Sequence, residues 1–181
     1  MKITKTELSG LLIITPDLHS DSRGYFFEDY QQERYANHGM PTFVQHNVSR
    51  SKRNVLRGLH YQLPHAQGKL VGVTRGSVWD VVVDIRKLSP TFKQWFAITL
   101  DDQSHTQMYI PPGFAHGFCV LSDEADFYYK CTDYFIPTHG YGIAWNDKDL
   151  NIPWPIANPI LSTKDEMNPS LADLSHDKLF A

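Results

Sequence analysis

Alternation with a period of two residues constrains this chain more than any other feature. Between Val78 and Arg86, Trp79, Val81, Val83 and Ile85 fall on one side of an extended backbone; Val78, Asp80, Val82, Asp84 and Arg86 fall on the other. Comparable short runs occur at Leu11–Thr15, Tyr25–Tyr30, Thr42–Arg50, Val55–Gln62, Lys69–Thr74, Gln94–Leu100, Gln107–Pro111, Gly117–Leu121 and Asp126–Phe135. Turn chemistry separates them, as at residues 21–24 (DSRG), 101–104 (DDQS) and 122–124 (SDE). Residues 74–77 (TRGS) read as a hairpin turn joining Lys69–Thr74 to the strand that follows. Helix signals are few: Gln31–His38 before Gly39, and a capping pattern from Ser162 to Asp165. Many short strands with little helix predict an all-β barrel or sandwich. With 181 residues and no repeat, linker or low-complexity tract, a single domain over 1–181 is expected. Residues 145–155, rich in Pro, Asp and Trp, read as ordered loop around the barrel with both indoles buried.

A net charge of −3 gives no electrostatic reason to expect nucleic acid or an anionic membrane as partner. No apolar run approaches the roughly 20 residues that cross a bilayer. The first residues, MKITKTELSGLLIITP, lack the apolar centre of a secretory signal, so the cytoplasm is the expected compartment. Cys119 and Cys131 sit inside apolar or aromatic runs and read as buried thiols, not as a disulfide framework.

Two stretches carry chemistry. Residues 55–62 (VLRGLHYQ) are followed by Lys69, then six residues, then Gly76; residues 109–116 (YIPPGFAH) come later. This spacing resembles that of the cupins, small β-barrels with the signature His-x-His, Glu-x6-Gly and Pro-x-Gly-x-x-His. Pro111, Gly113 and His116 keep the second half, and His60 keeps its place in the first. Gln62 stands where a second His would be, and Lys69 replaces the Glu. A Lys ammonium has three donors and no lone pair, so a metal is not expected, and a fixed positive charge takes its place. A buried ammonium needs an anion or a strong acceptor, which suits a substrate that turns negative during reaction.

Alternation places His60 with Leu56, Gly58 and Gln62, and Arg57 opposite unless a bulge beside Gly58 intervenes. Along Asp126–Phe135, one face groups Phe127, Tyr129, Cys131, Asp133 and Phe135. Tyr129 is then a candidate proton donor, with Tyr128 as its rival, and Phe135 a flat surface for a base or sugar. Arg23 sits in a tight turn and, as a fixed guanidinium, suits a phosphate.

Together these residues resemble one family, the dTDP-4-dehydrorhamnose 3,5-epimerases. The resemblance runs over most of the chain, through residues 21–28 (DSRGYFFE), 45–49 (QHNVS), 55–62, 68–71 (GKLV), 84–86 (DIR), 111–118 (PPGFAHGF), 129–133 (YKCTD), 145–147 (WND) and 161–165 (LSTKD). It implies a cupin-type jelly roll with a few short helices, mainly C-terminal, that works without metal or cofactor as a homodimer. It implies a dTDP-4-keto-6-deoxy sugar nucleotide as substrate. His60 would be the general base, held by Asp165, and Tyr129 the general acid on the other face of the sugar. Lys69, with His116, would bind near the sugar C4 oxygen. Arg23, Glu28, Gln45, Asn47, Arg57 and Lys164 would hold the nucleotide, diphosphate or sugar, and Phe135 would stack on thymine.

The chain departs from the family pattern at His46, where an acidic residue is common, at Phe135, often Tyr, and at Gly140 and Tyr141, commonly Glu-Arg. Three alternatives stand beside this reading: an epimerase of C3 alone or C5 alone, a metal-dependent cupin with His60, His65 and His116 as ligands, and a non-catalytic sugar-binding cupin.

Overall fold

The structure, a computed structural model, describes residues 1–181 and contains thirteen strands, ten of them on the alternating runs. In chain order the strands are β1 (Lys2–Lys5), β2 (Leu12–Thr15), β3 (His19–Asp21), β4 (Gly24–Phe26), β5 (Gln45–Lys52), β6 (Leu56–Gln62) and β7 (Lys69–Arg75). They continue as β8 (Ser77–Asp84), β9 (Trp95–Asp101), β10 (Gln107–Ile110), β11 (Phe114–Val120), β12 (Glu124–Cys131) and β13 (Gly140–Gly142). Helices α1 (Gln32–Ala36) and α2 (Thr163–Glu166) are short, and three 3₁₀ turns lie at Pro137–His139, Leu171–Asp173 and His176–Lys178. None is long and apolar enough to cross a membrane.

The strands form two facing antiparallel sheets, β1-β2-β10-β7-β12-β5 and β13-β6-β11-β8-β9, with β3-β4 as a separate hairpin. This is the expected jelly roll. Alternation fixes what each strand sends inward. Val71 and Val73 of β7, Phe127 of β12 and Met108 of β10 meet Val78 and Val82 of β8 and Phe118 of β11 in one core between the sheets. Leu70 and Tyr109, on the outer face of the six-stranded sheet, pack with Ile14, Tyr35 and Met40. The C-terminal third covers the outer face of the five-stranded sheet, where Leu59, Tyr61, Val83 and Ile85 pack with Ile143, Leu150 and Leu171. Trp145 and Trp154 are half-buried rather than fully buried; the Trp154 indole Nε1 donates to the Trp145 carbonyl at 2.7 Å, and its ring meets Trp79 edge-on.

Two strand readings change. Gly76 does not close a hairpin: β7 pairs with β10 and β12, whereas β8 pairs with β9 and β11. The turn is a corner between sheets, stabilised by Gly76 N–H donating to Asp102 (2.7 Å) and Ser77 N–H to Ser122 Oγ (2.9 Å). Gly76 has φ +77°, and a Cβ there would sit 2.1 Å from the Glu124 carbonyl oxygen. The run expected over Asp126–Phe135 leaves the ladder at Cys131, so Phe135 lies on a connecting segment.

The anticipated irregularity at Gly58 is present. His60 pairs with His116, but Arg57 already pairs with Phe118, so β6 carries an extra residue opposite Gly117. Gly58 has φ +128°, and an added Cβ would lie 2.5 Å from the Gly117 Cα. Arg57 and His60 consequently share a face, and Leu59 turns to the outer layer. We expect Gly58→Ala to destabilise the fold by on the order of 2 kcal/mol or more. Urea unfolding measures this, and an unchanged midpoint would show that the bulge does not require glycine.

Candidate active site

One end of the barrel interior is polar. A cavity of about 330 Å³ opens there, lined from the five-stranded sheet by Arg57, His60, Gln62 and His116 and from the six-stranded sheet by Gln45, Asn47, Lys69 and Tyr129. Phe118 and Phe127, stacked 4.1 Å apart, line it on the core side, and Phe135, Tyr141, Lys164 and Asp165 complete it.

His60 points inward from β6, and its Nε2 is hydrogen-bonded to Asp165 Oδ1. Asp165 is 4 % exposed and sits on α2, whose N-cap Ser162 donates its hydroxyl to Asp165 Oδ2 (2.9 Å) and accepts Asp165 N–H (3.1 Å). Burial alone would raise the Asp165 carboxyl, but its bonds with His60 and Ser162 outweigh that, holding the group below its ordinary value. An ionised Asp165 accepts the Nε2 hydrogen, which leaves Nδ1 as the nitrogen with a lone pair.

His116 repeats the pattern. Its Nε2 lies 2.9 and 3.0 Å from the two Asp80 carboxylate oxygens, and Asp80 is fully buried. Burial pushes the proton affinity of His116 down and that of Asp80 up, each against the attraction of its partner. Sequence reasoning gave Asp80 no role. Its position between Val78 and Val82 was the available signal, masked by Asp84 and Arg86 on the same face.

Lys69 begins β7 and, two and four residues before Val71 and Val73, takes the same inward direction. Burial lowers its proton affinity, and the nearby Cys131 and Asp80 act against that. Tyr129 also faces inward, and burial, with Cys131, raises its phenol above the ordinary value against the pull of Arg57. It therefore holds its proton at neutral pH. Tyr128 is excluded as its rival: it points to the outer face of the sheet, where its hydroxyl accepts a hydrogen bond from Gln107 at 2.8 Å. His46 points outward too, edge-on to Tyr128, so the departure at that position does not reach the cavity.

Ten of the twelve expected site residues thus line one cavity: His60, Lys69, Tyr129, Asp165, Gln45, Asn47, Arg57, His116, Phe135 and Lys164. Arg23 and Glu28 do not. Arg23 sits on the β3-β4 hairpin, 88 % exposed and paired with Asp21; Glu28 pairs with Arg34 at 3.1 Å. The ligand set His60, His65 and His116 does not assemble, because His65 lies outside the cavity with Nδ1 3.5 Å from Asp133. No group of three or more His, Cys, Asp or Glu side chains able to hold an ion forms in the chain.

A family model described as dTDP-4-dehydrorhamnose 3,5-epimerase matches residues 5–173. The chain belongs to the dTDP-4-dehydrorhamnose 3,5-epimerase family. A relative of that name from Shigella flexneri is 51 % identical over 168 residues, covering 91 % of this chain and 93 % of its own. Among solved structures, the dTDP-6-deoxy-D-glucose-3,5-epimerase of Legionella pneumophila, in complex with dTDP-4-keto-L-rhamnose, has a TM-score of 0.96 and 47 % identity, covering 99 % and 97 % of the two chains. A 3'-monoepimerase from Streptomyces bikiniensis in complex with dTDP-quinovose has a TM-score of 0.87 and 35 % identity, covering 92 % of this chain and 86 % of that one. Double and single epimerases therefore share the architecture of this family member.

The lowered Asp165 value has a thermodynamic consequence. A carboxyl that holds its proton less tightly folded than unfolded stabilises the protein above its ordinary value of 3.8, and that contribution is lost as pH falls through the folded value. The stability gap between wild type and Asp165→Asn, from urea unfolding, should be largest near neutrality and shrink below about pH 4. A gap that stays constant across that range would contradict the assigned shift.

Proposed function

We propose that this protein inverts C3 and C5 of dTDP-4-dehydro-6-deoxy-D-glucose to give dTDP-4-dehydro-L-rhamnose. The observation that carries this reading is the placement of a base and an acid on facing sheets of one cavity: His60 on β6 and Tyr129 on β12. Inversion at carbon requires a proton to leave one face and return to the other.

In the proposed sequence, His60 Nδ1 takes the C–H proton next to the C4 carbonyl while its Nε2–H remains on Asp165. The electron pair of that bond moves into the ring and onto the C4 oxygen, forming an enolate. The Lys69 ammonium, with His116, stabilises the new negative charge. A preorganised donor of this kind in a dry site contributes about 3–4 kcal/mol. Tyr129 then protonates the carbon from the opposite face, and the carbonyl re-forms. The half-buried phenol suits this role because it retains its proton until a carbanion demands it. Arg57 and Lys164 supply positive charge for the diphosphate, Asn47 and Gln45 supply amides, and Phe135 supplies a face for thymine.

We also propose a homodimer. β5 is an edge strand with Val48 68 % exposed, and Phe26 of the β3-β4 hairpin is 71 % exposed. A second copy that offered this hairpin to the cavity would give Arg23 and Glu28 the substrate role they do not have within their own chain.

His60→Asn should lower kcat by about a hundredfold to ten-thousandfold, and Lys69→Met by about a hundredfold or more. In deuterated buffer the product should carry deuterium at both C3 and C5 by NMR. Label at one carbon alone would replace this reading with that of a single epimerase. Light scattering in solution should give twice the chain mass; the chain mass itself would remove the dimer.

A further inference from the structure

The segment that carries Phe135 belongs to neither sheet. It runs from the end of β12 at Cys131 to the 3₁₀ turn at Pro137 without ladder partners, and brings Phe135 to the cavity wall. Backbone groups in such a place need other partners. Three glutamines supply them from three parts of the chain. Gln67, in the connection between β6 and β7, donates its amide to the Asp133 carbonyl (2.8 Å). Gln62, on β6, donates to the Tyr134 carbonyl (2.9 Å) and the His65 carbonyl (2.6 Å), and its Oε1 accepts Ile136 N–H (2.8 Å). Gln45, on β5 in the other sheet, accepts Phe135 N–H at 2.9 Å and donates to Asn47 Oδ1 (3.1 Å). Every residue from 133 to 136 is thus fixed by a glutamine side chain.

The residue type fits the task. Gln offers an acceptor and two donors on one neutral group, so it can satisfy carbonyls and an N–H together without adding charge beside Lys69 and Arg57. A carboxylate would lack the donors. Gln62 is 3 % exposed and has both ends committed to the backbone, which leaves it little to offer a substrate.

We propose that Gln45, Gln62 and Gln67 form a clasp that presets Phe135 as the platform for the nucleotide base, with Gln62 as its central member. Gln62 is therefore a positioning residue, and its place in the barrel, one that a metal-binding cupin gives to a ligand, serves nucleotide affinity instead. The inference rests on the reading that Phe135 stacks on the base. Without the clasp, binding must also order residues 133–136, which weakens affinity while leaving the proton-transfer groups in place.

Calorimetric titration with dTDP tests this on the full-length protein. Phe135→Ala and Gln62→Ala should each raise Kd by about tenfold, and the double variant should bind no more than about twofold worse than the weaker single one. Gln62→Ala should raise KM while kcat changes by less than about threefold. Losses that multiply in the double variant would overturn the clasp, as would wild-type affinity in Gln62→Ala. Wild-type affinity in Phe135→Ala is a different failure: it removes the stacking reading and the clasp with it. Should Gln62→Ala not fold, Gln62→Glu keeps the acceptor for Ile136 but, when ionised, has no donor for the two carbonyls. Its deficit in dTDP affinity relative to wild type should be marked near pH 8 and shrink near pH 5.5, as the carboxyl regains a hydrogen. No deficit at either pH would overturn the proposal.

Discussion

The site depends on a contact between two backbones. β6 approaches β11 closely enough at Gly58 and Gly117 that neither strand tolerates a side chain there: a Cβ on Gly117 would lie 2.8 Å from the Arg57 carbonyl oxygen. The extra residue accommodated at that contact changes the parity of β6. Residues three apart, Arg57 and His60, then face the same cavity while His60 stays in register with His116. A regular strand would turn either Arg57 or His60 toward the cavity, not both.

Burial then tunes the groups this geometry collects. The same loss of water lowers the proton affinity of Lys69 and His116 and raises that of Tyr129, so each is biased toward its uncharged form. Asp165 goes the other way, because it has a partner at both carboxylate oxygens. Its retained charge keeps the His60 hydrogen on Nε2 and the lone pair on Nδ1. The carboxylate beside the base thus sets which of its two nitrogens is free to take a proton.

Much of this was legible in the sequence. Tyr129 points inward for the reason alternation gave, since it shares parity with Phe127, whereas Lys69 was placed by its position in the spacing pattern and shares parity with the core residue Val71. The bulge at Gly58 had a local signal, a glycine between two polar residues that both suited a ligand. Other features had none. Residues 74–77 have the composition of a hairpin turn, and only the partners of β7 and β8, set by distant strands, make the turn a corner between sheets. β1, β3 and β13 are three or four residues long, too short for a period to register. Phe135 reached the cavity as expected but by another route, along a segment fixed by side chains rather than by a ladder. Asp80 was hidden by its own strand, where a second acidic residue, Asp84, alternates with it and serves only the nearby turn through Arg86, Ser89 and Thr91.

The pairing of His60 with Asp165 joins residues 105 positions apart, and Lys164 comes from the same late helix. Every strand of both sheets precedes that helix in the chain. During synthesis from the N-terminus, the barrel strands leave the ribosome first, and the carboxylate that orients the base follows some two dozen residues after the last of them. The same late segment covers the outer face of the five-stranded sheet through Ile143, Leu150 and Leu171, so a chain cut short after β13 would lose the cover of its scaffold together with the orientation of its base.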